Sequence, residues 1–555
     1  MMKAIRVGSP RAVSGAVGAA LLLVSLVMWA LSSPVGSSPD EDYHLAGAWC
    51  GLGLRDGLCE PAADPAERLV PKGIVSPSCF AFEAAESAAC QRDSVRSAEA
   101  GTDLTATGRG NFTGDYPPVF FAATGVLAGP DIVTSVMAMR GASALLFVLL
   151  GAAVAAAVPT ALRRAMLAGF MITAVPLGMF LIPSVNPSGW AVISAVTFLV
   201  SVVGYMTAES GRRMLTTGAL AAVALLVGAG ARADASIYAV VAVGAALVLT
   251  LTWDRAFLVR ALYPVLLAVV ATFAYLSAGQ SSALEAPRPQ PFTLGAFGDI
   301  LLDVPDLWVG ALGRWGLGWL DTAMPPAVWA LSWGVLVAVV FQGLARVTWR
   351  QGLAVGAIVA ALAVVPGYLQ FLTGHPVGSY VQPRYILPLL VLLAVAAMIR
   401  SDGRSLVLSG AQRWLIVVVL AFVNAVALHH NIRRYVTGLD VVDIDLDAGV
   451  EWWWALPVSP MVVWVAGTVA FAGALALLSA ELTSPDPRAP IGTSGPVTGA
   501  SQAAPPQGGD APTGGDGASE TLRPPPGPDR SLPAGDAPGR AGSGAHPSAE
   551  RSPGR

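Results

Sequence analysis

The feature that most limits what this chain can fold into is a series of apolar runs. They fall at about residues 13–31, 136–159, 165–183, 189–207, 214–231, 235–252, 258–277, 327–344, 352–372, 386–399, 413–430 and 458–480, twelve in all. About 20 residues of helix cross a bilayer core roughly 30 Å thick, and inside that core a segment must satisfy its own backbone N–H and C=O groups. The expectation is therefore an all-α polytopic integral membrane fold of about 12 transmembrane helices. Charge is correspondingly scarce, at 12% of the 555 residues, with a mean hydropathy of +0.62. A soluble chain carries about twice that share of charge.

The connections between runs set the orientation. Lys3, Arg6 and Arg11 precede the first run. With that end inside, the inner connections hold Arg163-Arg164, Arg212-Arg213, Arg255 and Arg260, Arg346 and Arg350, and Arg400 and Arg404. Every inner turn is then basic, as positive-inside bias requires, and both termini are cytoplasmic. Moving the count by one run places half of these arginines on the other side. The first run is long for the core of a signal peptide, and the Ser-Ser-Pro-Val-Gly that follows lacks a small-x-small cleavage pattern, so it reads as a retained helix. Lysine occurs only at Lys3 and Lys72, an arginine bias that fits a GC-rich bacterial genome and hence the bacterial cytoplasmic (plasma) membrane.

Residues 1–480 form the multi-span domain. Its first exoplasmic loop, 33–130, carries all four cysteines, Cys50, Cys59, Cys79 and Cys90, and a second large exoplasmic loop covers 278–326. No pair of cysteines is spaced C-x-x-C, which argues against zinc and for two disulfides on an oxidising face. Of the three connectivities, sequential pairing closes the shortest loops and is preferred. The apolar stretch 119–129 is too short to span and should dip into the interface or pack on other helices. Residues 481–555 contain 15 Pro and 14 Gly and no aromatic residue, the composition of a disordered cytoplasmic tail. No basic patch with interleaved aromatics points to nucleic acid.

In this topology the unusual polar residues gather on one side. The outer face receives Asp40, Glu41, Asp42 and His44, then Asn186-Pro187, Arg232-Ala233-Asp234, Arg314 to Asp321, His375, Gln382 to Tyr385, and His429 to Tyr435. Secondary transporters place ionisable residues near the midplane and often show paired broken helices. Here the runs are almost free of Asp, Glu and Lys, and no internal repeat is evident. Pro176 and Pro366 interrupt two runs, as isolated prolines often do. A non-enzymatic membrane component or a transporter of envelope polysaccharide assembly is the alternative to an outward-facing enzyme.

The densest cluster is Ser38-Pro39-Asp40-Glu41-Asp42-Tyr43-His44. It reads as a helix start with Ser38 as N-cap, Pro39 in the first helical position and Glu41 closing a capping box. Asp40 and His44 then lie one turn apart, and Leu45, Ala48 and Leu52 form a face suited to the membrane surface. If structural only, Asp40 and His44 make an exposed ion pair of little consequence. If functional, a carboxylate here is a general base that takes a proton from an acceptor hydroxyl while a lipid phosphate departs. An arginine must then neutralise that phosphate. Arg384, beside Gln382 and Tyr385, fits in type and place. Arg433 and Arg434 are rivals, better explained as snorkelling anchors. Three adjacent carboxylates could also hold a divalent cation through oxygen ligands, although nothing in the sequence requires a metal.

Pro39-Asp40-Glu41 with His44, Tyr116-Pro117-Pro118, Asn186-Pro187, Gly318-Trp319-Leu320-Asp321, and Gln382-x-Arg384-Tyr385 before a Leu-Pro-Leu-Leu run resemble the domain of unknown function 2142 family. That family consists of predicted bacterial, mostly actinobacterial, membrane proteins, and the resemblance covers roughly residues 10–480. It is similar in turn to the GT-C glycosyltransferases, which use polyprenyl-phosphate sugars. The resemblance implies a GT-C-like membrane glycosyltransferase that takes a sugar from a polyprenyl-phosphate donor to an envelope glycan or glycolipid acceptor. It makes Asp40 and Glu41 the candidate bases. His44, Asp42, Arg384, Tyr385 and Gln382 become contacts to substrate or phosphate, and the lipid bilayer the surrounding partner. Two departures from the pattern stand out: the cysteine-bearing insertion in the first outer loop, and Pro383 where a small residue is expected.

Overall fold

The apolar runs become helices whose ends are marked by short polar side chains. Asp131, Asn186, Ser210, Asp254, Thr293, Ser409 and Ser459 each cap a helix by accepting a backbone N–H. The computed structural model describes residues 10–75, 78–92, 95, 103–279, 293–373, 377–378, 381–400 and 407–483. Expectations resting on Lys3, Arg6, His375, Arg404, part of the 278–326 loop and the Pro/Gly-rich tail fall outside the described residues.

In chain order the helices are α1 (Pro10–Leu31), α2 (Glu41–Trp49), α3 (Lys72–Val75), α4 (Pro118–Gly125), α5 (Ile132–Ala157), α6 (Thr160–Met171) and α7 (Leu177–Leu181). They continue with α8 (Pro187–Met206), α9 (Gly211–Ala229), α10 (Ala233–Thr250), α11 (Arg255–Ser277), α12 (Leu294–Asp303) and α13 (Pro305–Val309). The last five are α14 (Pro326–Gly343), α15 (Trp349–Thr373), α16 (Pro383–Met398), α17 (Gly410–Val436) and α18 (Pro460–Leu478). Among the described residues, ten helices are long and apolar enough to cross a membrane. The fold is that of an all-α polytopic membrane protein.

Two of the twelve expected spans do not meet that criterion. The 165–183 run is split, because α6 ends at Met171 and the chain resumes helix only at Leu177, after a cis Val175–Pro176 peptide. The 386–399 run becomes α16, apolar but only 16 residues long. Pro366, by contrast, sits inside an unbroken α15.

Packing sorts the helices into a core and a shell. The α8 window is 94% buried, and α16 is buried along nearly its whole length. They pack on each other and on α6, with α10 and α15 beside them. The first helix packs along α18 and α5, and α17 along α18 and α14. At the other extreme only 17% of the α11 window is buried, leaving Leu262, Phe273 and Leu276 exposed. Such a face is stable when the surrounding solvent is hydrocarbon. Close approaches rely on small residues: a Cβ on Gly189 would stand 2.4 Å from the Leu181 carbonyl oxygen, which fixes the turn between α7 and α8.

The first loop holds its own small structure, not anticipated from the sequence. Strands β1 (Glu60–Pro61), β2 (Arg68–Pro71) and β3 (Leu104–Thr107) form an antiparallel sheet in the order β1-β2-β3, with Arg68 opposite Thr107 and Glu60 opposite Leu69. The cysteines pair sequentially, Cys50–Cys59 and Cys79–Cys90, as loop length favoured. The apolar stretch after Tyr116 becomes α4, packed on α2 through buried Phe121, with buried Phe120 against Trp190 of α8. The three residues Leu45, Ala48 and Leu52 do not form one surface face, for Leu45 and Ala48 are fully buried and Leu52 is half exposed.

Candidate functional site

The site begins with an arginine inside a membrane span. Arg140 of α5 is 1% exposed, a costly position offset here by acceptors around both terminal nitrogens, while Nε has no partner. Its Nη1 donates to the carbonyl oxygens of Ala30 (2.9 Å) and Ser33 (2.6 Å). Its Nη2 donates to Pro34 O (2.6 Å), Ser37 Oγ (3.3 Å) and both oxygens of Glu41 (3.2 and 3.3 Å). The segment leaving α1 is thereby wrapped around one guanidinium. Glu41 is fully buried and also accepts from the backbone N–H of Ser38 (2.9 Å) and of Val185 (3.4 Å). It is half of a capping box.

The other half is missing. The helix starts at Glu41 rather than Pro39, and its N-cap is Asp40, in left-handed conformation (φ 58°) with its carboxylate making no cap bond. The Ser38 hydroxyl, expected to be the cap, is buried without a partner. Turning Asp40 left-handed aims its carboxylate away from the helix axis. It receives Arg384 Nη2 at 2.6 Å and Arg109 Nη2 at 3.8 Å, and its side chain is 41% exposed. Asp42 is the opposite case: 11% exposed, it takes Arg109 Nε at 2.6 Å and Nη2 at 3.1 Å. Three adjacent carboxylates thus face three different arginines. Among the described residues no group of three or more His, Cys, Asp or Glu side chains is placed to hold a metal. Of the three, Asp40 is the open one.

Arg384 is presented by the start of α16. Gln382 is the N-cap residue and Pro383 occupies the first helical position, where its missing N–H costs nothing and its fixed φ suits the helix. Pro383 therefore places Arg384 rather than disturbing it. The guanidinium, 5% exposed, also donates to Gln382 Oε1 and to Tyr385 Oη (3.0 Å), and it lies 4.8 Å from the Tyr385 ring centre. On the same ring, at 4.6 Å, sits Arg232, which is held by a two-bond pair to Asp234 (2.8 Å each) and lies 5.8 Å from the Tyr116 ring. The Arg232 guanidinium is held more firmly protonated than usual, because burial, which opposes its charge, is outweighed by the paired Asp234 carboxylate. Tyr116 is pushed up to about 12, chiefly by burial, and so stays protonated as a hydrogen-bond donor.

His44 lies beneath this layer. It packs edge-on against Tyr43 and Tyr116, at 5.6 and 5.5 Å between ring centres, and is 2% exposed with Nδ1 unpartnered. Burial, then the Arg232 and Arg384 charges, holds its pKa well below the usual histidine value. No ion pair with Asp40 forms; the two residues are linked through their backbone, His44 N–H to Asp40 O at 3.0 Å.

The segments singled out along the sequence converge here. Asn186 Nδ2 donates to Pro39 O (2.9 Å), Trp319 Nε1 donates to Gly36 O (2.9 Å), and Pro39, Leu317, Gly318, Leu320 and Arg384 line one narrow crevice. Arg433 and Arg434 do not snorkel. Both are buried; Arg433 donates to the carbonyls of Asp443 and Asp445, and Arg434 pairs with Asp321 (2.8 Å) and donates to Phe80 O. Two members of the site were not picked out from sequence. Arg140 carried a readable signal, a lone arginine within an apolar run. Arg109 carried none: it reaches Asp42 because β3 ends two residues before it, with its backbone N–H on Thr107 Oγ1 (3.1 Å).

Residues 23–393 match the family described as Predicted membrane protein (DUF2142), and the chain belongs to it. The match takes in every residue of the site from Arg140 and Asp40 to Arg384. No curated protein and no solved structure matches the chain.

Proposed function

We propose that this member of the predicted membrane protein family transfers a sugar from a polyprenyl-phosphate donor to a cell-envelope glycan or glycolipid. Transfer takes place on the outer face of a bacterial cytoplasmic membrane, with both termini cytoplasmic. The observation that carries the reading is the Asp40–Arg384 pair: an open carboxylate 2.6 Å from a buried guanidinium, at the point where the separate sequence motifs meet.

The pair supplies both halves of an inverting transfer. The donor phosphate competes with Asp40 for Arg384, and the charge-assisted contact passes from carboxylate to phosphate. Asp40, released, accepts the proton of the acceptor hydroxyl as its oxygen bonds to the sugar C1. The C1–O bond to phosphate breaks on the opposite side, and its electron pair leaves on the phosphate, whose added charge Arg384 and Arg232 stabilise. The Tyr385 ring contacts both guanidiniums, at 4.6 Å from Arg232 and 4.8 Å from Arg384, and helps to hold them in place. Glu41 is not assigned a chemical step, since its oxygens are taken up by Arg140, Ser38 and Val185.

The test is transfer of radiolabelled sugar from a synthetic polyprenyl phosphate to envelope material in membranes containing the wild type, Asp40→Asn or Glu41→Gln. Loss of a general base lowers turnover by about 10²–10⁴-fold, so Asp40→Asn should be nearly inactive and Glu41→Gln active per folded molecule. Full transfer by a well-expressed Asp40→Asn protein would remove the site from the mechanism. Altered uptake or efflux with unchanged glycan would point to a transporter.

A further inference from the structure

Among the described residues three non-glycine positions adopt left-handed backbone: Asp40 (φ 58°), Phe82 (φ 68°) and Leu320 (φ 64°). Such conformations are strained for residues with a side chain and persist where the surroundings over-determine them. Asp40 is the open carboxylate, and Leu320 lines the crevice that Arg384 and Pro39 share. Phe82 has had no role so far.

Phe82 is held from four directions. The Cys79–Cys90 disulfide closes its loop. Arg434 donates to Phe80 O (2.7 Å) on one side of it and to Glu86 O on the other. The backbone N–H of Phe82 donates to Asp321 Oδ2 (3.2 Å), and Leu439 N–H donates to Ala84 O (2.9 Å). Phe80, two residues earlier, is fully buried against Tyr435. All this anchoring leaves the Phe82 ring 69% exposed, with Trp319 edge-on at 5.4 Å between ring centres and interplanar 64°. Trp319 is itself fixed by its hydrogen bond to Gly36 O, four residues before Asp40.

We infer that Phe82, backed by Trp319 of the segment whose Leu320 lines the crevice with Arg384, is a saccharide subsite: a rigid aromatic platform on which the C–H face of a sugar ring stacks. An aromatic face favours polarised C–H edges over water, and a ring held rigid loses little entropy on binding. The subsite rests on the proposed transferase reading for its meaning but not for its existence. The ring can come from the acceptor glycan or from the donor sugar.

The experiment is saturation-transfer difference NMR of purified full-length protein in lipid nanodiscs, with methyl glycosides of galactose, glucose, mannose and arabinose as probes. At least one glycoside should be saturated through its ring C–H protons. The signal should fall about three- to tenfold in Phe82→Ala and in Phe82→Leu, and persist in Phe82→Tyr and Phe82→Trp. Leucine preserves an apolar side chain for the lipid interface or for covering Trp319, so a leucine variant that binds like wild type overturns the proposal, as does a wild type that saturates no glycoside. In the transfer assay the alanine variant should raise the KM of one substrate without lowering kcat: acceptor KM assigns the ring to the acceptor, donor KM to the donor. If Asp40→Asn keeps transferring while glycoside binding still requires an aromatic at 82, the transferase chemistry fails and the subsite stands.

Discussion

Replacing Arg140 by methionine is the sharpest perturbation of the scaffold under the site. It deletes contacts to three carbonyls and to Ser37 Oγ, and it strips Glu41 of its counter-charge at 0% exposure. Removing one partner of a buried pair costs about 3–5 kcal/mol. Glu41→Gln is milder. An amide oxygen still accepts from the Ser38 N–H, and Arg140 keeps its carbonyl acceptors, so the loss is that of a charge-assisted hydrogen bond, about 1.5–3 kcal/mol. The double variant removes the stranded carboxylate together with the arginine, and should cost less than the sum of the singles by about 1–3 kcal/mol. Denaturant unfolding in mixed micelles, followed by tryptophan emission, closes this double-mutant cycle. Singles that add without coupling, or an Arg140→Met cost below about 1 kcal/mol, would refute the assignment of this pair as the clamp. An inactive Glu41→Gln protein of undiminished stability would move the base from Asp40 to Glu41.

Two further outcomes are expected. His44 titrates below its unfolded value near 6.5 because burial and two arginines oppose its charge. Native protein therefore refuses a proton that the unfolded chain takes up below that pH. Stability should be level above pH ~6.5 and fall as pH drops, by up to about 1.4 kcal/mol per pH unit from this group. His44→Gln should flatten that part of the pH–stability curve, and an unchanged slope would show that other groups set it. Replacing Cys79 and Cys90 by serine should cost about 2–4 kcal/mol through the freed loop and should weaken glycoside binding through Phe82, both measurable on the same preparation. A variant with intact binding would show that Arg434 and Asp321 suffice to hold the loop.

The helices were legible because hydropathy and the bilayer thickness constrain the same number, the residues needed to cross. The two exceptions are informative. Pro176 ended a helix that hydropathy alone carried through, and α16 is short because α8 and α6 cover it instead of lipid. Sequential disulfides were readable from loop lengths, and the polar segments between the apolar runs were readable as a set. Which residue does what inside the set was not. The Ser-x-x-Glu pattern suggested a capping box at Ser38, but the donor that decided the local backbone was Arg140, 99 positions from Glu41 in sequence. That long-range pull set the cap at Asp40, buried Glu41 and left Asp40 open.

Residue order and composition suffice for a chain suited to a bilayer, for the succession of its apolar runs and for the acidic segment beside the first of them. Each follows from local composition, which solvent reads directly. Long-range packing selects which of three adjacent carboxylates stays accessible, which arginine each one meets, and how an exposed phenylalanine is held in left-handed conformation. Those depend on guanidinium groups delivered from α5, the turn after β3, α16 and α17. A side chain's charge is written in the sequence, but its partner is chosen by the packing that brings distant elements within hydrogen-bond reach.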